Sequence, residues 1–352
     1  MRTIRRGRVW PALAATMVTV AALTGCTSGN DTGSTGSADT VDLSTVSIKV
    51  GATGWNTIES ALEVAGLADT PYKVEWAVFS GGDQQLQALQ SGALDVAQSS
   101  EIPPLFAAAG GTVKFEQVAV QTGTTLLQEV VVGPDSPLGS VADLKGKKVG
   151  YVKNTTAAYF LNELLKQNGL SWNDIQAQPL LPNDGLAALN GGSVDAFASY
   201  GNTIINAHQG GSKTIGSGRD ILSGNFPWSV RDALLDNASQ RAAVADLMSR
   251  VNDAYAYIRD GHQQEFAERT ATATKQPVDS ALQQITDGEA QRPTGIRVAD
   301  AEVRANQQRV ADSLQEIGAL PGRVDVAELW SDGLDAELSA ALDRQPAAAA
   351  GK

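Results

Sequence analysis

Reactive side chains are scarce in this sequence. Its 352 residues include one cysteine, Cys26, and two histidines, His208 and His262. Neither a paired CxxC site nor a His-rich catalytic metal site can be assembled from these, so no metal and no cofactor are expected. Lys and Arg number 27 against 39 Asp and Glu, a net charge of −12. No basic cluster occurs beyond the first eight residues, which argues against nucleic acid as a partner, because phosphate backbones are held by clustered Lys and Arg. An apolar stretch from Val9 to Leu23 is too short for a comfortable bilayer span. The chain is nevertheless 42% hydrophobic, enough for roughly two domains of about 100 to 200 residues whose cores need no disulfide or metal.

Arg2, Arg5, Arg6 and Arg8 precede the apolar stretch, the pattern of a secretory signal peptide over residues 1–25. Basic residues suit either the general or the twin-arginine export route. Leu23-Thr24-Gly25-Cys26 resembles the bacterial lipobox, which implies that Cys26 receives a lipid and anchors the mature protein outside the cytoplasmic membrane. The competing reading of Cys26 is a buried free thiol. Loss of residues 1–25 removes four arginines and no acid, leaving a charge of −16. Residues 26–45 are rich in Ser, Gly, Thr and Asp; they cannot bury enough apolar surface to order themselves and read as a flexible tether. Residues 346–352 read as a disordered tail.

Sliding the sequence against itself gives one clear match, at an offset of 100 residues. LQALQSGALDVAQS from Leu86 and LAALNGGSVDAFAS from Leu186 agree at six of fourteen positions, including Gly92 with Gly192 and Asp95 with Asp195. Each copy reads as a helix, a glycine stop and a short strand. Upstream of each lies another strand, loop and helix, and both of those helices stop at Gly-Leu, at Gly66-Leu67 and Gly169-Leu170. Strands alternating with helices predict parallel sheets with crossover helices, hence two similar α/β lobes with a ligand cleft between them. Long helices are expected from about Ala238 to Arg259 and from Val298 to Ile317.

In such sheets ligands sit beyond the carboxyl ends of strands, where free N–H groups at helix N-termini attract anions. The first lobe offers Gly54 and Trp55, then Ser80, Gly81, Gly82 and Asp83, then Ser99, Ser100 and Glu101. The second offers Lys153, Asn154, Thr155 and Thr156, then Asn183 and Asp184, then Tyr200, Gly201 and Asn202. Glycines and small hydroxyls suit an oxyanion held by backbone and hydroxyl donors, with Lys153 the one nearby cation. Taken singly, each loop is explained as well by helix capping; convergence from two lobes favours a site. Trp55, Tyr200, Phe226 and Trp228 are candidates for an apolar wall.

These residues resemble the periplasmic-type solute-binding proteins of ABC importers for alkanesulfonates, taurine and nitrate. The resemblance spans about Ile48 to Trp330 and is carried by GDQQLQALQSGALDVAQSSEIPP from Gly82, SPLGSVADLKGKKVG from Ser136, NTTAAYFLNELL from Asn154 and RVADSLQEIGALPGRVDVAELW from Arg309. It implies a type 2 periplasmic-binding fold, two α/β lobes joined by two hinge strands with C-terminal helices: lobe 1 over 46–122, lobe 2 over 123–222, and a return to lobe 1 over 223–345. It also places Ser80, Ser99, Ser100, Thr155 and Thr156 at the ligand head group. Tyr200-Gly201-Asn202 departs from the Trp-Asp-Pro that many sulfonate binders carry there, which alters one cleft wall. Asp83 and Glu101 beside an anion require either that they face solvent or that the ligand carries an ammonium, as taurine does.

The function implied is capture of a small organic anion, foremost an aliphatic sulfonate, by a monomeric carrier that delivers it to a membrane permease driven by a cytoplasmic ATPase. Taurine, nitrate or a thiamine precursor on the same fold are the alternatives within this class. A desulfinase-like enzyme is the alternative outside it, and a receptor or adhesion lipoprotein is a third. An enzyme needs a nucleophile or base, and His208 and His262 lie outside the candidate loops while the mature chain has no unlipidated cysteine. No catalysis is therefore expected.

Overall fold

The computed structural model describes residues 42–111 and 113–344. The signal peptide, Cys26, most of the tether and the tail lie outside the described residues.

The chain begins as strand–helix alternation: β1 (Ser47–Thr53), α1 (Thr57–Val64), β2 (Lys73–Phe79), α2 (Gly82–Gln90), β3 (Val96–Gln98), α3 (Ile102–Ala109) and β4 (Phe115–Thr122). It then crosses to a second sheet, which collects β5 (Gln128–Val132), β6 (Lys148–Val152), α4 (Thr156–Gln167), β7 (Gln176–Leu180), α5 (Pro182–Asn190), β8 (Ala196–Tyr200), α6 (Asn202–Gln209) and β9 (Lys213–Ser217). It returns to the first sheet with β10 (Asn225–Arg231), α7 (Asp232–Leu235), α8 (Ala238–Tyr257), α9 (Gln263–Thr274), α10 (Val278–Gln291), β11 (Gly295–Arg297), α11 (Ala301–Glu316) and α12 (Asp335–Leu342). The strand orders are β11-β4-β10-β3-β1-β2 and β7-β6-β8-β5-β9.

The duplication is structural. In lobe 1, β1 lies between β2 and β3, all parallel; in lobe 2, β6 lies between β7 and β8, all parallel. Asp95 exchanges two backbone-directed bonds with Lys49 of β1, its Oδ2 accepting from the Lys49 N–H at 2.9 Å and its own N–H donating to the Lys49 carbonyl at 2.9 Å. Asp195 does the same with Lys148 of β6 at 2.8 Å and 2.8 Å. Each aspartate thus pins the start of one parallel strand to the next. Gly92 and Gly192 precede them at φ +76° and +70°, a left-handed turn that favours glycine. Replacing Asp195 with Ala should lower stability by about 1–2 kcal/mol, since it leaves the Lys148 N–H without its acceptor; chemical denaturation would show it as an earlier midpoint with unchanged slope.

The sheets are mixed rather than purely parallel. In each lobe the strand that arrives from the other lobe runs antiparallel beside the repeated strand: β10 on β3 and β5 on β8. A strand delivered by a short crossing from another sheet has no crossover helix, so nothing forces it to be parallel. The two crossings are residues 123–127 and 218–224. They run side by side, the Gly123 N–H donating to the Gly224 carbonyl at 3.0 Å and the Thr125 hydroxyl to the Arg219 carbonyl at 3.0 Å. Gln291, at the end of α10, clasps the first crossing: its Oε1 accepts from the Thr124 hydroxyl and the Thr125 N–H, and its Nε2 donates to the Thr125 hydroxyl.

Separate cores hold the lobes. Val50, Val96 and Trp228 pack against Val244, Leu247, Met248 and Val251 of α8 in lobe 1, whereas Val130, Val149, Phe160, Leu161 and Phe197 fill lobe 2. The expected long helices are present as α8 and as α11, where Asp300 caps the Val303 N–H at 2.9 Å. The helical hairpin of α9 and α10 reaches back to lobe 2, with the Gln209 side chain of α6 donating to the Lys275 carbonyl at 3.3 Å.

Candidate functional site

The carboxyl ends of the repeated parallel strands face one another. Gly54 and Trp55 follow β1 and Ser80 follows β2; across the gap Asn154 follows β6, Leu181 follows β7 and Gly201 follows β8. A Cβ built on Gly54 would lie 3.5 Å from the Asn202 amide nitrogen, and one on Gly81 would lie 3.7 Å from the Tyr200 hydroxyl. Loops from the two lobes therefore meet directly.

Two adjoining cavities occupy this gap. The smaller, about 280 Å³, is lined from lobe 1 by Ser80, Gly81 and Asp83 and from lobe 2 by Lys153, Asn154, Thr155 and Tyr200. The larger, about 930 Å³, is lined by Gly54, Trp55, Tyr200, Asn202, Asn183, Asp184 and Phe226 among others. Ser80, Gln84, Leu181, Pro182 and Tyr200 line both.

The smaller cavity has the donors that an oxyanion needs. Helix α2 follows Gly81 with no side-chain cap, which leaves first-turn N–H groups and partial positive charge for a ligand; Asp83 of that turn lines the same cavity, so its carboxylate opposes an anion there and suits a ligand that also carries an ammonium. Thr155 shapes the start of α4 rather than donating to a ligand: its hydroxyl accepts from the Ala157 N–H at 3.2 Å and gives its proton to the Val152 carbonyl at 2.8 Å. Burial, and secondarily the Asp83 carboxylate, push the Tyr200 hydroxyl up to about 12, so it remains a proton donor at neutral pH. Asn154 adopts φ +60°, an uncommon conformation for a non-glycine residue, and its Oδ1 is buried without a hydrogen-bond partner. Lys153 supplies an exposed cation at the rim.

Gly82, Ser99, Ser100, Glu101, Thr156 and Trp228 do not line either cavity. Gly82 packs where a Cβ would come within 2.8 Å of the Ser99 Cβ. The end of β3 is covered by β10, the Ser99 N–H donating to the Pro227 carbonyl at 3.3 Å, so the chain after β3 turns away from the gap. Glu101 neither faces solvent nor reaches the cavities; it is buried beside the second crossing, where Oε1 accepts from the Ser223 hydroxyl at 2.6 Å. The Thr156 hydroxyl donates to Gln128 Oε1 at 2.6 Å, at the start of β5. Trp228 is fully buried, its ring N–H donating to Gln121 Oε1 at 3.2 Å; Trp55, Tyr200 and Phe226 make the aromatic wall without it.

The helical hairpin contributes lining that the loop pattern misses: Phe266, Thr270 and Thr274 from α9 and Ile285 from α10. The apolar spacing of Phe266, Ala267 and Ala271, and of Val278, Ala281, Leu282 and Ile285, marks two amphipathic helices, but not what they cover.

Among the described residues, no group of three or more His, Cys, Asp or Glu could hold a metal, and no helix is long and apolar enough to cross a membrane. His208 Nε2 bonds Glu129 at 2.9 Å and His262 stacks on Tyr257; neither lines either of these two cavities.

Two α/β lobes joined by paired crossings, with hydroxyl and helix-terminus donors converging on an interlobe cleft, define a solute-binding protein with the type 2 periplasmic-binding fold, the class that serves ABC importers. The NMT1/THI5-like family matches residues 73–260, and the chain belongs to that family. A relative from Escherichia coli (strain K12), assigned as an aliphatic sulfonates-binding protein, is 32% identical over 265 residues, 73% of this chain and 79% of its own. The periplasmic aliphatic sulphonate binding protein SsuA of Escherichia coli superposes with a TM-score of 0.70 at 27% identity, covering 81% of this chain and 92% of that one. The alkanesulfonate-binding protein SsuA from Xanthomonas axonopodis pv. citri, bound to MOPS, superposes with a TM-score of 0.72 at 26% identity, covering 81% and 98%. These relatives are binding proteins, and the chain is a binding protein rather than an enzyme.

Proposed function

We propose that this protein captures organic sulfonates in the interlobe cleft and delivers them to the permease of an ABC importer, tethered to the outer face of the membrane through a lipid on Cys26. The observation that carries the ligand reading is the small cavity where the open N-terminus of α2 and the capped start of α4 face each other from opposite lobes, with the protonated Tyr200 hydroxyl between them. The names of the relatives narrow an oxyanion to a sulfonate. The lipid anchor rests on Leu23-Thr24-Gly25-Cys26 alone. The working division is lobe 1 over 46–122, lobe 2 over 123–222 and the return over 223–345.

The head group sits in the smaller cavity, held by the Ser80 and Tyr200 hydroxyls with backbone donors from Gly81 and Asn154. Contacts to both lobes favour the form in which the lobes are close, and a permease that recognises that form would discriminate loaded carrier from empty. The test is a thermal-shift panel on the chain from Thr27 with alkanesulfonates, taurine, nitrate and sulfate. A sulfonate at a hundred times its dissociation constant stabilises by about 2.7 kcal/mol; the expected result is a rise with sulfonates together with compaction in small-angle scattering. A rise with nitrate or sulfate and none with sulfonates would overturn the reading.

A further inference from the structure

The cleft is larger than a sulfonate head group needs, and its surplus has a definite chemistry. At the liquid's roughly 30 Å³ per water, the larger cavity of about 930 Å³ would hold about thirty waters. A two-carbon ligand would leave most of them in place.

The far wall of that cavity is apolar. Trp55 and Phe266 pack with ring centroids 6.1 Å apart, and Phe226, Ile205 and Ile285 complete it. Three of the polar side chains beside it, Thr270, Thr274 and Glu289, are engaged within the protein, while Asn206, Lys275 and Gln284 also line the cavity. The Thr270 hydroxyl donates to the Phe266 carbonyl at 2.9 Å and the Thr274 hydroxyl to the Thr270 carbonyl at 2.7 Å. Glu289 is taken up by Arg259 and Thr294. The hydroxyl protons of these threonines are thus already donated within α9. A second observation concerns the cleft mouth. Among the described residues, the large hydrophobic side chains left exposed are Val78, at 49%, and Leu181, at 61%. They stand on opposite lobes, at the edge strand β2 and at the start of α5, and both line the same cavity.

Resting on the sulfonate reading, we propose that the natural ligands are sulfonates with a bulky apolar tail, aryl or long-chain alkyl, which fills the larger cavity against Trp55, Phe226 and Phe266 and is gripped at the mouth by Val78 and Leu181. The head group fixes the class of ligand and the tail fixes the choice within it. A tail that displaces poorly held water from an apolar wall gains affinity with each buried methylene, whereas short sulfonates gain only the head-group contacts.

Titration calorimetry with ethanesulfonate, octanesulfonate and 2-naphthalenesulfonate tests this. The two bulky ligands should bind at least about tenfold tighter than ethanesulfonate. In the V78S/L181S double variant the naphthalenesulfonate affinity should fall by about tenfold, more than the ethanesulfonate affinity does. Equal affinities for short and bulky sulfonates, or equal losses for both in the double variant, would overturn the tail assignment while leaving the head-group reading intact. Binding by none of the three would sink the sulfonate reading itself.

Discussion

Replacing Glu101 with Gln should raise the melting temperature at pH 8 and leave it close to wild type near pH 4. Glu101 is buried, with one oxygen bonded to the Ser223 hydroxyl and the other without a partner. Burial pushes its carboxyl up to about 7, an effect that the Ser223 bond and the charges of Arg309 and Arg292 offset only in part. An unfolded glutamate titrates near about 4.3. The folded chain therefore keeps a proton there that the unfolded chain releases, and stability is lost as pH rises from about 4.3 towards 7 before levelling off. The ionised carboxylate then costs about 4 kcal/mol at pH 8. Gln keeps an acceptor for Ser223 and carries no charge, so the variant should melt roughly 5 °C or more above wild type at pH 8. Melts from pH 4 to pH 8.5 would decide it; parallel curves for the two proteins would show that the carboxylate is hydrated in solution.

Tyr200→Phe should weaken sulfonate binding by about 10- to 100-fold with little change in the melting temperature of the unliganded protein. A hydrogen bond to a charged group contributes about 1.5–3 kcal/mol, and the Tyr200 hydroxyl remains protonated where it lines both cavities. The ring would stay packed against the lobe 2 core, so loss of affinity without loss of stability is the diagnostic pair. Calorimetry on the variant with the tightest sulfonate would measure it, and an unchanged dissociation constant would remove Tyr200 from the head-group shell.

The parts of the fold visible in the sequence are those fixed by local, repeated rules. A left-handed glycine followed by an aspartate that bonds the neighbouring strand leaves the same trace twice, at Gly92 and Asp95 and at Gly192 and Asp195. The antiparallel strands β5 and β10 carry no such trace, because their direction is set by the crossings rather than by their own residues. β10 shows why Trp228 looked like cleft wall: in NFPWSVR the strand lies between β3 and β4 and is buried on both faces, so no alternation separates the core side from the open side. The site divided in the same way. Loops after β1, β2, β6 and β8 reach the cavities, while Ser99, Ser100 and Glu101 after β3 do not: β10 covers the end of β3, and the Glu101 carboxylate bonds Ser223 of the second crossing. That covering is a long-range pairing, and spacing along the chain does not report it. The hairpin of α9 and α10 was legible as helices and illegible as lining, because an amphipathic pattern states that a face is apolar and not what it encloses.

The paired crossings also make lobe 2 an insertion within lobe 1. Residues 128–217 leave and rejoin the rest of the chain at neighbouring points, where Gly123 and Gly224 are hydrogen-bonded. When the polypeptide emerges from its amino end, whether from a ribosome or through an export channel, all five strands of the second sheet are out once Ser217 has passed. The first sheet must wait for β10, which lies between β3 and β4, and then for β11 ending at Arg297. The half of the molecule that begins first is thus completed last, and through that interval the unfilled slot between β3 and β4 exposes strand edges that only the protein's own later segment is shaped to close.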